Sequence, residues 1–358
     1  MLTTVIAFII FLGILIFVHE LGHFLMARRM DIRVEEFALG FGPKLLSRKK
    51  GETRYSIRII PLGGFCSMTG EMPVDKEDLD QEEREIYEEA RENGRCFFQK
   101  SPLKRLAVLV AGPLMNVALA VLAFVLIFGI YGVPVEQAHD AVVGEMFPGE
   151  PAARSGIRGG DEILAIEGEE VSDWQEMTAI IRENPGEELS VRLDRDGEIQ
   201  EIQITPELDE ETGYGMIGVL PRVVRERVGP ITAVHRGVAQ TGQVVVLTVR
   251  GFIHIISQAS TEELGGPVMI ASIVGQAART GPENVLNWLG IISVNLAVIN
   301  LIPFPALDGG RVIFVLAELI SGKKIPQEKE GWVHMVGFVL LILLMIFIIY
   351  QDIITTFF

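Results

Sequence analysis

Two histidines and a glutamate lie within the first apolar segment of the chain. The segment His19–His23 reads HELGH and follows Val5–Val18, which contains no charged residue. A spacing of four residues places both imidazoles on one helix face, where they can bind zinc while Glu20 acts as a general base. On a soluble helix the same pattern arises by chance. In a bilayer each ionisable residue costs roughly 2.5–3.5 kcal/mol on insertion scales, so the pattern indicates a metal-dependent hydrolase site.

The composition indicates a membrane protein with a water-soluble part. The 358 residues are 49% apolar yet carry a formal net charge of −16, so apolar and acidic residues must lie in separate regions. Four apolar stretches come close to the ~20 residues that a spanning helix needs. They are Leu2–Ala27, Leu106–Tyr131, Val285–Phe304 with its continuation Val312–Ile320, and Trp332–Tyr350. We therefore expect a polytopic α-helical membrane protein with four spans; the lipid bilayer is its expected partner and nucleic acid is not.

Basic residues near the ends of the spans predict the orientation of the chain. They follow the first span, precede the second and separate the third from the fourth: Arg28, Arg29, Arg33, Lys100, Lys104, Arg105, Lys323, Lys324 and Lys329. We expect residues 28–105 and 321–331 in the cytoplasm, and both termini and residues 133–240 outside. The first stretch lacks the basic region and A-x-A site of a cleaved signal peptide. His19 then lies about nine residues, or ~13 Å, inward from Arg28 at the cytoplasmic end of the first span.

A second polar segment interrupts the third apolar stretch. Residues 300–310 read NLIPFPALDGG, with two prolines and two glycines around Asp308. A zinc hydrolase needs a third protein ligand and leaves the fourth position to water. Broken helices occur at membrane depth only where protein or a water-filled cavity surrounds them. Asp308 is therefore the candidate third ligand, and an N-cap in a loop between two interfacial helices is the alternative.

These two motifs, in this order, resemble those of one family. H-E-x-x-H in a first span and N-x-x-P-x-P-x-L-D-G in a later one are similar to the motifs of the site-2 protease family of intramembrane zinc metalloproteases. The four spans with an extracytoplasmic insertion resemble the bacterial RseP-type group. The resemblance implies zinc binding by His19, His23 and Asp308, acid/base catalysis by Glu20, and contact of Asn300 with the substrate backbone.

The resemblance also implies a cellular role. It predicts a multi-pass endopeptidase of the bacterial plasma (inner) membrane that cuts single-span membrane proteins within or near their spans. Expected substrates are anti-sigma factors already shortened by an upstream site-1 protease, and remnant signal peptides. Two other classes of protein stay open. A proteolytically silent PDZ chaperone or scaffold would not need zinc, and a metal transporter would carry further acids or histidines along a path through the bilayer.

A helix breaker and an asparagine begin the second span. Gly112-Pro113 precedes Asn116 by three residues, and the resemblance places this element beside the metal. Asn116 could therefore line a cavity that admits water or substrate. An ordinary interhelical hydrogen bond is the alternative.

A β-hairpin is predicted in the cytoplasmic loop. Arg54–Ile59 alternates with period two, and Gly40–Pro43 and Gly63–Gly64 supply turns around it. The resemblance implies a re-entrant β element that could bind an extended substrate by strand addition. The residues concerned are Tyr55, Ile57 and Ile59. A plain cytoplasmic hairpin is the alternative, and the acidic segment Glu71–Glu92 is expected to be a solvated helix or a disordered loop.

Residues 136–222 resemble a PDZ domain, which is a small α/β fold. The resemblance begins in residues 141–168, and a helix is predicted at Trp174–Glu183 with strands at Leu189–Leu193 and Ile199–Ile204. A groove strand that could bind a peptide is expected at Met216, Ile217, Gly218 and Val219. With 22 acids against 6 bases in residues 136–222, the domain should repel acidic tails. A steric filter against bulky ectodomains is as consistent with these features as a peptide reader.

Four parts are therefore expected along the chain. Residues 1–131 and 284–358 form the two halves of the membrane domain, and residues 136–222 form the PDZ domain. Residues 223–283 form a linker with an interfacial amphipathic helix around Gln243–Ser257, where Arg250 and His254 interrupt the apolar residues. The histidines outside the first span, His334 among them, lack ligand spacing and are expected at surfaces or interfaces.

Overall fold

The computed structural model describes residues 2–73, 79–135, 140–147, 149–209, 212–222, 224–258 and 266–357. It forms two compact units, the first made of Met1–Tyr131 with Gly229–Phe358 and the second of Gly132–Val228. Residues 136–139, at the expected start of the PDZ domain, and residues 74–78 of the acidic segment lie outside the described residues.

The α-helices of the described residues are numbered along the chain. They are α1 Leu2–Arg29, α2 Gln81–Glu92, α3 Pro102–Tyr131, α4 Pro151–Ser155, α5 Trp174–Glu183, α6 Pro230–Gln258, α7 Pro267–Thr280, α8 Pro282–Leu301, α9 Asp308–Ser321 and α10 Gln327–Phe357.

The β-strands are numbered in the same way. They are β1 Val34–Lys50, β2 Thr53–Met68, β3 Val133–Val135, β4 Val143–Met146, β5 Glu162–Ile166, β6 Glu169–Glu170, β7 Leu189–Arg195, β8 Glu198–Ile204, β9 Glu207–Leu208, β10 Gly215–Met216, β11 Val219–Pro221 and β12 Val224–Glu226.

Four helices of the first unit are long and apolar enough to cross a membrane. They are Thr3–Arg29, Pro102–Tyr131, Pro282–Leu301 and Gln327–Asp352, so the prediction of four apolar spanning helices is confirmed. The third apolar stretch breaks after α8 and resumes as α9 at Asp308. Pro303 and Pro305 stand in the break, where a proline removes a backbone donor and cannot continue the helix.

The expected linker holds two helices that belong to the first unit, which corrects the sequence interpretation. Helix α6 is 29 residues long and packs antiparallel on α3, with Gly237 against Val125 and Ala233 beside Gly129. The hydroxyl of Thr248 on α6 donates to the side-chain oxygen of Asn295 on α8 at 2.7 Å. Sequence reasoning missed this packing because arginine and histidine on the exposed face of α6 lower its hydropathy.

The hairpin of β1 and β2 folds back on itself. Residues 34–39 of β1 pair with residues 64–68 of β2 on one side and with residues 54–57 of β2 on the other. Residues 46–49 of β1 pair with the opposite side of residues 54–57. Residues 54–57 are therefore paired on both sides. Within the described residues, residues 64–68 pair on one side only.

The hairpin reverses at the predicted glycine segments and also has one turn that the sequence did not predict. The chain reverses at Gly51-Glu52 between β1 and β2, whereas Gly40, Gly42 and Gly63 lie inside the strands with positive φ angles. Glycine adopts this left-handed conformation without steric cost, so strands can bend there. The glycines therefore let the two strands fold back, so that residues 34–39 and residues 46–49 run in opposite directions on either side of residues 54–57.

The second unit has a core of its own. A sheet in the order β6-β5-β7-β8 and helix α5 share a cluster of buried apolar side chains that includes Ile163, Met177 and Leu193. Helix α5 spans the predicted residues and is capped by Asp173, which accepts from the Glu176 backbone N–H at 2.8 Å. The strands predicted at Leu189–Leu193 and Ile199–Ile204 are present in β7 and β8.

Candidate metal centre

Three predicted ligands meet at the centre of the first unit. The Nε2 atoms of His19 and His23 lie 3.2 and 3.3 Å from Oδ2 of Asp308 and 3.3 Å from each other. The three ligand atoms satisfy the geometry of a possible metal site. Asp308 Oδ2 is buried without a hydrogen-bond partner among the described residues, and a bound cation would satisfy it. Two imidazoles and a carboxylate suit zinc and leave one position open.

Helix α3 holds His23 in place. Its Nδ1 donates to the Val108 carbonyl oxygen at 2.9 Å, which leaves Nε2 free to bind a metal. A Cβ atom at Gly112 would collide with the His23 ring, and one at Gly22 would collide with the Ala111 carbonyl. These two glycines therefore let α1 and α3 approach closely enough for the hydrogen bond to form.

Asn116 supports His19 through a hydrogen bond between helices, which was the alternative left open by the sequence, and it is not among the described residues that line the cavity. Asn116 is completely buried, and its side-chain amide lies 3.3 Å from His19 Nδ1. Its Oδ1 atom has no partner among the described residues. Amide orientation is assigned from the hydrogen-bond network, and with Oδ1 towards the ring Asn116 accepts from Nδ1–H. The Nε2 atom of His19 then faces the metal position.

The break between α8 and α9 presents Asp308. The carboxylate lies in the first turn of α9, where backbone N–H groups favour a negative charge. Cβ atoms at Gly309 and Gly310 would collide with the carbonyl oxygens of Ile302 and Phe304. The two glycines therefore let the preceding loop fold tightly over the start of α9.

Glu20 and Asn300 line the same cavity as the three ligands. Its volume is about 390 Å³, and its wall includes residues 65–68 of β2 with Glu71 and Arg311. Sequence reasoning missed these wall residues. Arg311 forms an ion pair with Glu71; its spacing of three residues from Asp308 on a helix was the one available signal.

Tyr55, Ile57 and Ile59 are not brought to the metal ligands. Tyr55 and Ile57 line a separate cavity of about 430 Å³, and Ile59 is 58% exposed. Residues 65–68 of β2 line the metal cavity instead. They belong to the segment that pairs with a neighbouring strand on one side only within the described residues.

Cys66 in this cavity wall remains a thiol. Burial raises the pKa of the Cys66 thiol well above its usual range, and the charges of Glu20 and Glu71 add to the increase. A protonated thiol is a poor nucleophile and a poor metal ligand. Both cysteines of the chain, Cys66 and Cys96, are free and buried.

The predicted PDZ groove strand is interrupted. Met216 pairs with Glu207 and Val219 pairs with Met146, so the segment forms two short strands instead of one. Between them Gly218 has a φ angle of 72°, and the buried Ile217 accepts from the Ala152 backbone N–H at 3.0 Å. The sequence pattern could not show this turn because glycine also occurs in strands.

An H-E-x-x-H pair on one apolar helix and an aspartate at the break of another are the features of a membrane-embedded metallopeptidase. The chain belongs to peptidase family M50, whose family model matches residues 7–344.

Curated relatives that align over nearly the whole of this chain are described as proteases. The chain is 36% identical to the zinc metalloprotease RasP of Oceanobacillus iheyensis, covering 98% of this chain and 99% of that protein. It is 33% identical to the regulator of sigma-W protease RasP of Bacillus subtilis, covering 98% of each. A match to the solved PDZ domain of an SdrC-like protein from Listeria monocytogenes covers 26% of this chain and 94% of that domain's chain. The sequence identity is 22% and the TM-score is 0.21.

Proposed function

We propose that this chain is an intramembrane zinc metalloprotease that cuts single-span membrane proteins within or near their spans. The observation that carries the proposal is the convergence of His19, His23 and Asp308 in one cavity with Glu20. Membership of family M50 supports the same activity. Within the described residues no second group of possible metal ligands is present, which gives no support to a transport path.

The roles of the residues follow from their positions. Zinc bound by the three ligands would polarise the scissile carbonyl and lower the pKa of the attacking water. Glu20 takes the proton from that water and passes it to the leaving amine. Asn300 donates its side-chain amide to the substrate backbone from the cavity wall.

The substrate must be unwound, because helical peptide bonds are enclosed in i to i−4 hydrogen bonds. One edge of residues 64–68 has no pairing strand within the part of the chain that the structure describes, and residues 65–68 lie along the cavity wall. An extended substrate segment adds to this edge as a strand, which places its peptide bond beside Glu20. This assignment replaces the one to residues 54–57, whose two sides are already paired.

The cellular setting follows from charge and from the relatives. Basic residues at the span ends support a bacterial plasma-membrane protein with both termini and the second unit outside the cytoplasm. The name of the Bacillus subtilis relative, regulator of sigma-W protease, supports membrane-bound regulators as substrates. Anti-sigma factors shortened first by a site-1 protease fit this role, as do remnant signal peptides.

Glu20→Gln tests the proposed activity on the purified full-length chain with a single-span substrate. The amide keeps the shape of the side chain but removes the base, so we expect zinc binding to persist and the cleavage rate to fall by about 10²–10⁴-fold. Glu35→Gln, at an exposed position, is the matched control and should cleave normally. Near wild-type cleavage by Glu20→Gln, or full activity after chelation of zinc, would contradict the proposal. A folded wild-type chain that cleaves no single-span substrate would favour a silent scaffold.

The second unit acts as a size filter in this proposal. Its own apolar core and its excess of acids support a rigid, acidic body that excludes bulky ectodomains. Deleting residues 138–222 should leave cleavage of a short-tailed substrate intact and admit a substrate with a large folded ectodomain. A zinc-loaded deletion variant that still rejects the large substrate would show that filtering resides elsewhere. Loss of short-substrate cleavage would instead favour a peptide-delivering PDZ domain.

A further inference from the structure

His334 is buried on a helix whose neighbouring side chains are mostly exposed. On α10, Val336, Phe338 and Val339 are 52–56% exposed, as expected of a helix that faces lipid, whereas His334 is 5% exposed. An ionisable residue buried within a spanning helix indicates a function. The sequence, which gave His334 no ligand spacing, predicted only a surface or interface position.

His334 binds the backbone of the loop that leads to Asp308. Its Nδ1 atom accepts a hydrogen bond from the Ala306 N–H at 3.0 Å, so the neutral ring carries its proton on Nε2. Ala306 has a φ angle of 79°, a left-handed conformation that costs a residue with a Cβ atom roughly 1–2 kcal/mol. The bond therefore holds a strained residue two positions before the metal ligand.

A second residue of α10 fits the same loop. A Cβ atom at Gly337, one helical turn after His334, would lie 2.6 Å from the Pro305 carbonyl oxygen. Glycine at this position lets the loop lie directly on α10. Phe314 of α9 packs beside the His334 ring, with centroids 5.7 Å apart, and so limits its rotation.

The other backbone hydrogen bonds described for this loop stay local. Phe304 N–H donates to the Ile302 carbonyl at 2.7 Å, and Leu307 N–H donates to the Phe304 carbonyl at 3.2 Å. Such bonds shape the loop but do not fix it relative to α1, which carries the histidines. Among the hydrogen bonds described for this loop, the bond from Ala306 to His334 joins the loop to a separate helix, α10.

We propose that His334 is a positioning residue for the metal centre. It acts through Ala306, and it keeps Asp308 Oδ2 within 3.2–3.3 Å of both imidazoles. This inference rests on the proposed function, since it takes Asp308 as a zinc ligand. Without the bond the loop relaxes at Ala306, the carboxylate turns away from the histidines, and zinc binds less tightly.

Zinc affinity of the purified full-length chain, measured by competition with a chromophoric chelator, tests the inference. Outer partners of metal ligands typically contribute 10–100-fold to metal affinity, so we expect His334→Ala to weaken zinc binding by about that factor. His334→Asn places an amide oxygen near the former Nδ1 position and should restore most of the affinity. His334→Gln moves the same oxygen away by one methylene and should not. Val339→Ala, at an outward position of α10, is the control and should bind as the wild type does.

The zinc-free proteins separate positioning from general folding. We expect the thermal midpoints of zinc-free wild type, His334→Asn and His334→Gln to agree while their zinc affinities differ. Equal zinc affinity of the Asn and Gln variants, or wild-type affinity in His334→Ala, would overturn the positioning role and leave the Glu20→Gln result untouched. A wild-type chain that binds no zinc would overturn the proposed function itself.

Discussion

The two units bury polar side chains in different ways. In the second unit Asp161 is 1% exposed, and both its carboxylate oxygens accept hydrogen bonds from Arg195, at 2.8 and 2.7 Å. Among the described residues of 132–228, no buried side-chain polar atom lacks a partner. Among the described residues of the first unit several buried polar atoms lack one, and two of these, Asn116 Oδ1 and Asp308 Oδ2, lie at the metal centre. Because an unsatisfied buried group costs about 1–3 kcal/mol, the unpartnered Asp308 Oδ2 agrees with a site that a bound cation completes, whereas the paired Asp161 serves the fold.

Asp308→Ala should produce the largest loss of zinc binding in the first unit while leaving the second unit folded. The variant leaves two protein ligands, so zinc occupancy and proteolysis should both collapse. The second unit should stay folded, because its core shares no residue with the metal centre. Metal analysis of the purified variant checks this result. A full zinc equivalent would show that another residue is the third ligand.

Asn116→Ala should have an intermediate effect. It removes the acceptor beside His19 Nδ1, so zinc affinity should fall by about 10–100-fold while the helices remain assembled. Asn116→Asp keeps an oxygen at the same place and should retain most of the affinity. Asn295→Ala removes an asparagine that bonds Thr248 at 2.7 Å instead of a ligand and is the matched control. Equal zinc affinity in Asn116→Ala and Asn295→Ala would show that Asn116 does not support a zinc ligand.

Asp161→Asn should have the smallest effect on catalysis. Burial opposes ionisation of this group, but hydrogen bonds from Arg195 and from the Arg158 N–H overcome it and hold the pKa of Asp161 below its usual range. Because the folded-state pKa is lowered, its stabilisation is present above the unfolded value of about 3.9 and is lost as pH falls through the folded value. Asp161→Asn should therefore destabilise the second unit by about 1–3 kcal/mol at neutral pH and flatten its acid dependence.

Hydrogen exchange of the full-length chain measures this change in the second unit separately from the first. Asp196→Asn, at an exposed turn position, is the control and should exchange as the wild type does. Zinc content should be unchanged in both variants. A loss of zinc in Asp161→Asn would show that a buried polar group of the second unit also affects the metal centre, which would contradict the comparison.

The part of the metal centre that could be predicted from sequence is the part with fixed local spacing. His19 and His23 share a helix, and the prolines and glycines around Asp308 are contiguous, so the ligand chemistry is visible in short motifs. For Asn116 the sequence left a cavity-lining role and an interhelical hydrogen bond both open, since nothing local shows that it is completely buried against His19. The role proposed for His334 depends on a loop 28 residues away, for which the sequence holds no periodic signal.

The hairpin shows a second limit. Alternation correctly indicated strands, but it singled out residues 54–57, which pair on both sides. Bends at glycines, which the sequence suggested as turns, bring residues 64–68 to the cavity instead. Helix α6 was assigned to a linker because its composition resembles an interfacial helix, while its glycine contact with α3 depends on tertiary packing.

The distance along the chain between the ligands has a consequence for biosynthesis. His19, Glu20 and His23 enter the membrane with the first helix, whereas Asp308 is synthesised only after the second unit and three of the four spanning helices. A growing chain therefore carries the proposed general base and two of the proposed ligands through most of translation without a complete ligand set. Under the proposed assignment, proteolytic activity begins only when the last part of the molecule has joined the first, so a partly made chain should leave newly inserted membrane proteins around it intact.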